Sequence, residues 1–155
     1  MSRQQWRDLL EGIGFVAIIL SLIFVGFETQ NSSKQTMLNT RSLEIAAYQE
    51  LMNNIAEINV MNIQSAEAAE ITAPIFGVSD VKAWRSESAL FLLFRHGDIA
   101  FFMYEHGAID EDRLRSTLRI LPLRSDVGRE FWNRRKLVFV EPYQNYVDQL
   151  LDEGF

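Results

Sequence analysis

The chain has 155 residues, no cysteine, two histidines and a formal charge of −6. This length is typical of a single domain. The lack of cysteine excludes disulfides, thiolate metal sites and cysteine nucleophiles, and two histidines supply few ligands for a metal or catalytic centre. The acidic balance disfavours a nucleic-acid-binding protein, which needs basic surface to neutralise phosphates. We therefore expect no cofactor, no metal and no nucleic-acid partner.

An uncharged run lies near the N-terminus, from Gly12 to Phe27, with the sequence GIGFVAIILSLIFVGF. As a helix it would be about 24 Å long, and flanking residues bring it close to the ~30 Å of a bilayer core. Trp6 would then lie at the membrane interface, where indole rings are favoured. We predict a single-pass transmembrane helix, with residues 1–33 as the N-terminal tail and span and residues 34–155 as a helical domain.

Two other interpretations of this run stay open. A secretory signal peptide fits the basic residues Arg3 and Arg7 and the apolar length, although no small-residue cleavage site follows. A buried helix of a soluble protein fits the length as well. Charge does not set the orientation, since Arg3 and Arg7 on one side are balanced by Lys34 and Arg41 on the other.

Within the span, Gly14, Ala17 and Ser21 are small residues spaced three and four positions apart. Small residues at this spacing let two membrane helices approach closely. We expect these three residues to pack against another helix in the membrane.

The segment after the span has apolar residues at helical spacing and no proline before Pro74. We predict that the membrane helix continues as one long helix to about Asn62 or Ala69. This helix is acidic, because no lysine or arginine occurs between Ser42 and Val81. Its apolar positions are Leu38, Ile45, Tyr48, Met52 and Ile55.

Turn and capping residues divide the rest of the chain into further helices. The stretch from Ile71 to Asp80 contains Pro74 and Gly77 and predicts a connector. An aromatic helix follows from Val81 to His106, and Gly107 is placed to end it. Four large aromatic residues in this helix and the later ones are candidates for an interface with another protein: Trp84, Phe101, Phe102 and Trp132.

Three shorter helices complete the predicted fold. Asp110 is expected to cap the first, which ends at Pro122, and Ser125 or Asp126 the second. Glu141 followed by Pro142 resembles an N-cap and a first-turn proline, which start the last helix, and this helix extends to Gly154. The apolar residues of the first two are Leu114, Leu118, Leu121, Phe131, Trp132 and Leu137. The sequence therefore predicts an all-α fold, in which one transmembrane helix continues into a long helix and is joined to a small antiparallel helical bundle.

Asp98 is the most unusual charged residue, because it lies among the phenylalanines of the aromatic helix. A buried carboxylate without a cation or hydrogen-bond donors costs several kcal/mol. We predict a structural ion pair with Arg134 or Arg135 from the next-to-last helix, since Arg95 precedes Asp98 by three positions in the poorer orientation. A proton-handling or ligand-binding role for Asp98 is the alternative.

Eight of the fifteen basic residues lie between Arg113 and Lys136, together with only two acids, which gives a local charge of +6 (eight minus two). This basic segment (residues 113–136) is expected to face anionic lipid, the acidic helix between Glu44 and Glu70, or solvent. The only imidazoles, His96 and His106, lie ten positions apart and do not converge as an i, i+4 metal-binding pair would.

Four sequence blocks occur in this order along the chain: ETQNSSKQT, FRHGDIAFFMYEHGAIDED, EFWNRRKLVF and EPYQNYVDQLL. In these blocks the chain resembles a widespread family of uncharacterised small bacterial membrane proteins. The resemblance implies one span, a C-terminal helical domain in the cytoplasm and a location in the bacterial inner membrane. It implies no activity. The family's characteristic positions would fall on Asp98, Gly107, Asp110, Phe131, Trp132, Arg134 and Arg135.

Three functions are consistent with this sequence. The first is a membrane-anchored, non-enzymatic helical protein that assembles with itself and presents an interaction surface. The second is an accessory subunit of a larger membrane protein complex. The third is a membrane-anchored enzyme or a channel-like oligomer, which is disfavoured because Ser21 is the main polar residue within the span.

Overall fold

A computed structural model describes residues 3–155, and for residues 5, 8 and 9 it describes the backbone only. Between residues 3 and 155 the chain forms six α-helices and no strand, which confirms the all-α fold. The helices are α1 (Arg3–Gln64), α2 (Ala66–Thr72), α3 (Val81–Glu105), α4 (Glu111–Leu118), α5 (Asp126–Arg135) and α6 (Glu141–Asp152).

The chain divides into two compact units, Met1–Leu43 and Glu44–Phe155, which we call the N-terminal unit and the bundle unit. The division falls later than the predicted boundary after residue 33, because residues 34–43 of α1 are exposed on every side. Residues 1 and 2 of the predicted tail lie outside the described residues.

The N-terminal unit contains the apolar run, and its large side chains are exposed from Leu10 to Phe27. The most apolar 18-residue window of α1 has a mean hydropathy of 2.4, and none of it is buried. By length and composition this helix is able to cross a membrane.

The core of the bundle unit lies around α3, where aromatic rings from three helices meet. The ring of Phe94 stacks on Phe131 and Trp132 at centroid distances of 5.2 and 5.1 Å. Tyr143 of α6 contacts Trp132 edge to face at 5.8 Å, a favoured arrangement of aromatic pairs. Leucines on α4 and in the α4–α5 connection and Val147 on α6 complete the cluster.

The predicted helix ends are largely confirmed, because they are specified by local chemistry. Asp110 caps α4 by accepting a hydrogen bond from the backbone N–H of Arg113 at 2.8 Å, and Ser125 caps α5 through the N–H of Gly128 at 3.1 Å. Gly107 follows α3 with φ of +68°, a left-handed conformation that favours glycine.

Other boundaries differ from the predictions. The long helix α1 ends at Gln64, between the predicted ends Asn62 and Ala69, but a separate short helix α2 follows that was not predicted. Ser65 caps α2 by accepting from the N–H of Ala68 at 3.1 Å. Val140 occupies the N-cap position of the last helix without a side-chain capping bond, so that Glu141 is the first helical residue and not the cap. Leu121 lies beyond the end of α4 and is buried, whereas Leu137 lies in a 3₁₀ turn and is 85% exposed.

Candidate functional site

Asp98 is buried at 1% exposure between α1 and α3 and is bonded on two sides. The Tyr48 hydroxyl on α1 donates to Asp98 Oδ2 at 2.9 Å, and Arg95 Nη1 donates to the same oxygen at 3.0 Å. Arg95 also donates through Nη2 to the carbonyl of Val138 at 3.1 Å and lies over the ring of Phe139. The carboxylate therefore joins α1, α3 and the turn before α6.

Burial controls the protonation of this group. It raises the pKa of Asp98 above its ordinary value, while the Tyr48 hydrogen bond and the nearby Arg95 charge act in the opposite direction. Burial, and then the negative charge of Asp98, also raise the pKa of Tyr48. Tyr48 is thus a hydrogen-bond donor at neutral pH and not a base, and Asp98 accepts from both Tyr48 and Arg95.

The predicted partners of Asp98 were wrong. Arg134 and Arg135 pair with Glu87, which precedes Asp98 by about three turns of α3: Arg135 Nε contacts Glu87 Oε1, and Arg134 Nη2 lies 3.9 Å from Oε2. The reason is that the end of α5 lies against the first half of α3. Arg95 can reach Asp98 along its own helix despite the unfavourable order of the two residues.

Glu87 is a buried carboxylate that the sequence analysis did not identify. A signal was present, because Trp84, Glu87, Phe94, Asp98 and Phe101 recur at helical spacing and all lie on the buried face of α3. Both acids on this face therefore needed a cation, and each is provided with a different arginine.

A second polar network, also missed, connects the ends of α1 and α2 with α3. Asn62 is fully buried, and its Oδ1 accepts from the Thr72 hydroxyl at 2.7 Å. Thr72 in turn accepts from Trp84 Nε1 at 2.8 Å, and Asn62 Nδ2 lies 3.4 Å from the Ser88 hydroxyl. These buried polar groups are satisfied within the bundle unit, as stability requires.

The four aromatic interface candidates do not form an outward surface. Trp84, Phe101 and Trp132 are buried in the core of the bundle unit. Phe102 is half-buried and stacks on Tyr48 at 4.2 Å and against His106 at 4.0 Å. These aromatic side chains contribute to the core of the bundle unit itself, because large rings supply much of the apolar area that a small domain can bury.

The histidines are bonded within α3 and do not converge. Nδ1 of His96 lies 2.7 Å from the carbonyl of Leu92, and Nδ1 of His106 lies 2.9 Å from that of Phe102. Nε2 of His106 lies 3.9 Å from Glu44 on α1. In the described part of the chain, no three His, Asp or Glu side chains are grouped as metal ligands.

Most of the basic segment is paired inside the bundle unit. Arg115 contacts Glu153 at 2.6 Å and Lys136 contacts Asp148 at 2.6 Å. Within residues 3–155 its ion-pair partners lie on α3, α4 and α6, at the capping residue before α4 and at the residue after α6, and none is an acid of the 44–70 region. The expected pairing with the acidic helix is therefore not found.

The small residues of the span lie on an open surface. Gly14, Ala17 and Ser21 are all exposed on α1, and a Cβ added to Gly14 would meet no atom within 4 Å. Their packing against another membrane helix stays a prediction.

The part of α1 in the bundle unit exposes a second apolar face. Tyr48, Met52 and Asn62 lie against α3 or within the core, whereas Leu51, Ile58 and Met61 are each about half exposed. We call the series Ala47, Leu51, Asn54, Ile58 and Met61 the outer stripe. Its spacing of four, three, four and three residues is that of the contact positions in a coiled coil.

No protein-family model, curated protein or solved structure matches this chain. The possible functions are therefore judged from three features of the molecule: the buried ion pairs, the outer stripe and the exposed basic side chains.

Proposed function

We propose that this protein is a membrane-anchored, non-enzymatic helical protein that self-associates through the outer stripe of α1 and presents its bundle unit as an interaction surface. The observation that carries the proposal is the row of exposed large apolar side chains, Leu51, Ile58 and Met61, on a helix that is packed on its other side. Burial of such side chains stabilises an assembly by about 25 cal/mol per Å².

Asn54 favours a second copy of the same helix as the occupant of the stripe. It stands in the middle of the series, between Leu51 and Ile58, and is exposed. An asparagine buried against an apolar partner would lose its hydrogen bonds to water without replacement. Against its own counterpart in a second copy, the amide can pair, and this pairing favours an arrangement in which the two copies of Asn54 lie opposite each other.

Two glutamates favour a parallel pair. Glu50 and Glu57 immediately precede the stripe residues Leu51 and Ile58, and both are exposed. In an antiparallel pair these carboxylates would face their counterparts, and like charges in contact disfavour association. Anchoring of both copies in one membrane raises their effective concentration and strengthens a weak contact.

The buried acids support a non-enzymatic role. Glu87 and Asp98 are each committed to an arginine, and a catalytic acid or base needs access to a substrate proton. The two buried carboxylates are therefore best explained as groups that fix the packing of α1, α3 and α5.

For the location, we follow the resemblance of the sequence and place the protein in the bacterial inner membrane with its bundle unit in the cytoplasm. The apolar run from Gly12 to Phe27 supports the anchor. Fusions of the full chain to a cytoplasmic and to a periplasmic reporter at the C-terminus test the orientation. Activity of the periplasmic fusion alone would overturn it.

Self-association is tested by measuring the mass of the full chain in mild detergent by light scattering. We expect a multimer for the wild type and a monomer for the double variant Leu51→Glu/Ile58→Glu. Leu137→Glu is the matched control, because Leu137 is 85% exposed and lies outside the stripe. A wild-type monomer would contradict the proposal.

An accessory-subunit role is the second candidate, and one observation favours it. Ile71, Ile75 and Phe76 are exposed close together in sequence around the turn after α2, and grouped apolar side chains commonly mark a protein contact. A monomeric chain that copurifies with one other membrane protein, and loses it on Ile75→Glu, would favour this role over self-association.

A further inference from the structure

Two arginines of the basic segment differ from the rest. Five of its basic residues lie within 4.0 Å of a carboxylate: Arg113, Arg115, Arg134, Arg135 and Lys136. Arg129 instead donates to the carbonyl of Leu123 at 2.8 Å. Within residues 3–155, Arg119 and Arg124 contact neither a carboxylate nor a carbonyl acceptor, and both are exposed.

These two side chains line the same cleft, which we call the arginine cleft. It lies between the turn that joins α4 to α5 and the end of the chain at Phe155, and its volume is about 720 Å³. Arg115 and the Ser125 hydroxyl also line it, and no Asp or Glu side chain does. Glu153 pairs with Arg115, so the basic side chains of the cleft that have no acidic side chain as a partner are Arg119 and Arg124.

The shape and chemistry of the cleft fit one class of ligand. Its volume lies in the range of small-molecule sites. Arginine binds phosphate through two parallel N–H donors, which is stronger and more directional than binding by lysine. The walls include apolar groups, among them the ring of Phe155 and the side chain of Ile120, which is 63% exposed.

We infer that the arginine cleft binds a phosphate ester, with Arg119 and Arg124 as the charged ligands. The same group is carried by the headgroup of an anionic phospholipid and by small soluble phosphate compounds. This site is separate from the outer stripe of α1, and the inference does not depend on self-association.

The full chain is tested in two kinds of nanodisc. The first contains only zwitterionic lipid, and inorganic phosphate is added at increasing concentration. The second also contains phosphatidylglycerol, and no phosphate is added. The first readout is the unfolding temperature, which a ligand of the folded state raises. The second is the phosphatidylglycerol retained after mild detergent extraction, counted by native mass spectrometry. The variant is Arg119→Gln/Arg124→Gln. The control is Lys82→Gln/Arg113→Gln, which removes the same charge from exposed positions outside the cleft.

We expect the wild type and the control to bind alike, and the cleft variant to bind about tenfold more weakly or worse, since two charged hydrogen-bonding groups are lost. A response to phosphatidylglycerol alone identifies the ligand as a lipid headgroup, and a response to phosphate alone identifies a soluble ester. The inference is overturned if the wild type binds neither probe, or if the control loses binding as much as the cleft variant does. The single variants Arg119→Gln and Arg124→Gln replace the double variant if circular dichroism shows that it does not fold.

Discussion

Glu87 and Asp98 lie on one face of α3, and each carboxylate is buried beside the guanidinium of a different arginine. A pair of this kind adds little net stability when it is complete, because desolvation offsets most of the attraction. Removal of one partner is costly, since the other charge stays behind without compensation. At the residue scale, we therefore expect these acids to act mainly by favouring one arrangement of the helices.

Replacement of the buried carboxylate is the first prediction at this scale. Asp98→Ala leaves Arg95 and the hydroxyl of Tyr48 without their acceptor, and we expect the free energy of unfolding to fall by about 3 kcal/mol. Urea denaturation followed by circular dichroism measures this change. Asp152→Ala, at an exposed position of α6, is the control and should be nearly neutral. Unchanged stability of Asp98→Ala would contradict a structural role.

The raised pKa of Asp98 gives a second prediction, on pH dependence. Burial raises this pKa above its ordinary value of 3.8, so ionisation is less favourable in the folded than in the unfolded chain. The stability contributed by protonated Asp98 is fully present below the ordinary value and is lost as the pH rises through the folded pKa. Asp98→Asn cannot ionise. The stability of the wild type relative to Asp98→Asn should therefore decline as the pH rises above the ordinary pKa of 3.8 and through the raised pKa of the folded protein.

Urea denaturation midpoints of both proteins across this range provide the measurement. If the stability of the wild type relative to Asp98→Asn increases with pH, the prediction is wrong. The interactions of Asp98 with Arg95 and Tyr48 would then lower its pKa by more than burial raises it. All other titratable groups are present in both proteins, so their effects on stability cancel in the difference between the wild type and Asp98→Asn.

The sequence was sufficient to predict that Asp98 is buried and ion-paired, but not with which residue. Hydrophobic spacing identifies the buried face of α3, and that pattern follows from helix geometry alone. The partner depends on where α5 crosses α3, which is determined by the lengths of the connecting turns and the packing of Phe131 and Trp132. The cations of Glu87 and Asp98 therefore could not be assigned from the pattern.

At the scale of the helices, the predictions were most accurate where one side chain determines the outcome. Asp110, Ser125 and Gly107 end or begin helices through contacts with backbone groups a few residues away. The end of α1 at Gln64 falls between the two predicted ends, Asn62 and Ala69, and neither proline nor glycine marks the break before α2. It depends on the long-range bonds of Asn62 and Thr72 with α3 as well as on the cap at Ser65.

The close approach of α3 and α6 gives a prediction at this scale. A Cβ added at Gly97 would overlap the hydroxyl of Tyr143, which is buried and donates to the carbonyl of Phe94 at 3.0 Å. Gly97→Ala should therefore destabilise the protein by about 1–3 kcal/mol, although alanine is favoured over glycine in a helix by about 1 kcal/mol. Thermal unfolding measures the change.

The double variant Gly97→Ala/Tyr143→Phe provides the internal check. Removal of the hydroxyl relieves the closest contact, so part of the stability lost in Gly97→Ala should be recovered relative to Tyr143→Phe alone. A purely additive loss would indicate that the overlap with the Tyr143 hydroxyl is not what destabilises Gly97→Ala.

At the scale of the whole molecule, the net charge of −6 describes neither the acidic part of α1 nor the basic segment. Basic side chains mostly pair with acids of the same bundle unit, and the surplus is concentrated at Arg119 and Arg124. Composition alone therefore excludes broad classes of function, but the location of the surplus charge appears only when the helices are assembled.

The proposed parallel pair of α1 helices predicts a pattern of cross-links. The chain has no cysteine, so single cysteines introduced at Leu51 or Met61 can be oxidised without competition. In a parallel, in-register pair each residue faces its own counterpart, and both variants should form disulfide-linked dimers in membranes. Leu137→Cys should not. An antiparallel pair would link a mixture of the Leu51 and Met61 variants in preference to either one alone, and would refute the parallel arrangement.

The three tryptophans occupy three different environments. Trp6 is exposed near the start of α1, Trp84 is buried with its indole N–H bonded to Thr72, and Trp132 is fully buried with its N–H 2.7 Å from Asp148. Indole emission shifts to shorter wavelength in apolar surroundings and is quenched by lipids that carry bromine. Each tryptophan, retained alone while the other two are replaced by phenylalanine, therefore becomes a built-in optical probe. Trp6 would report the depth of the anchor, Trp84 the junction of α1, α2 and α3, and Trp132 the centre of the core.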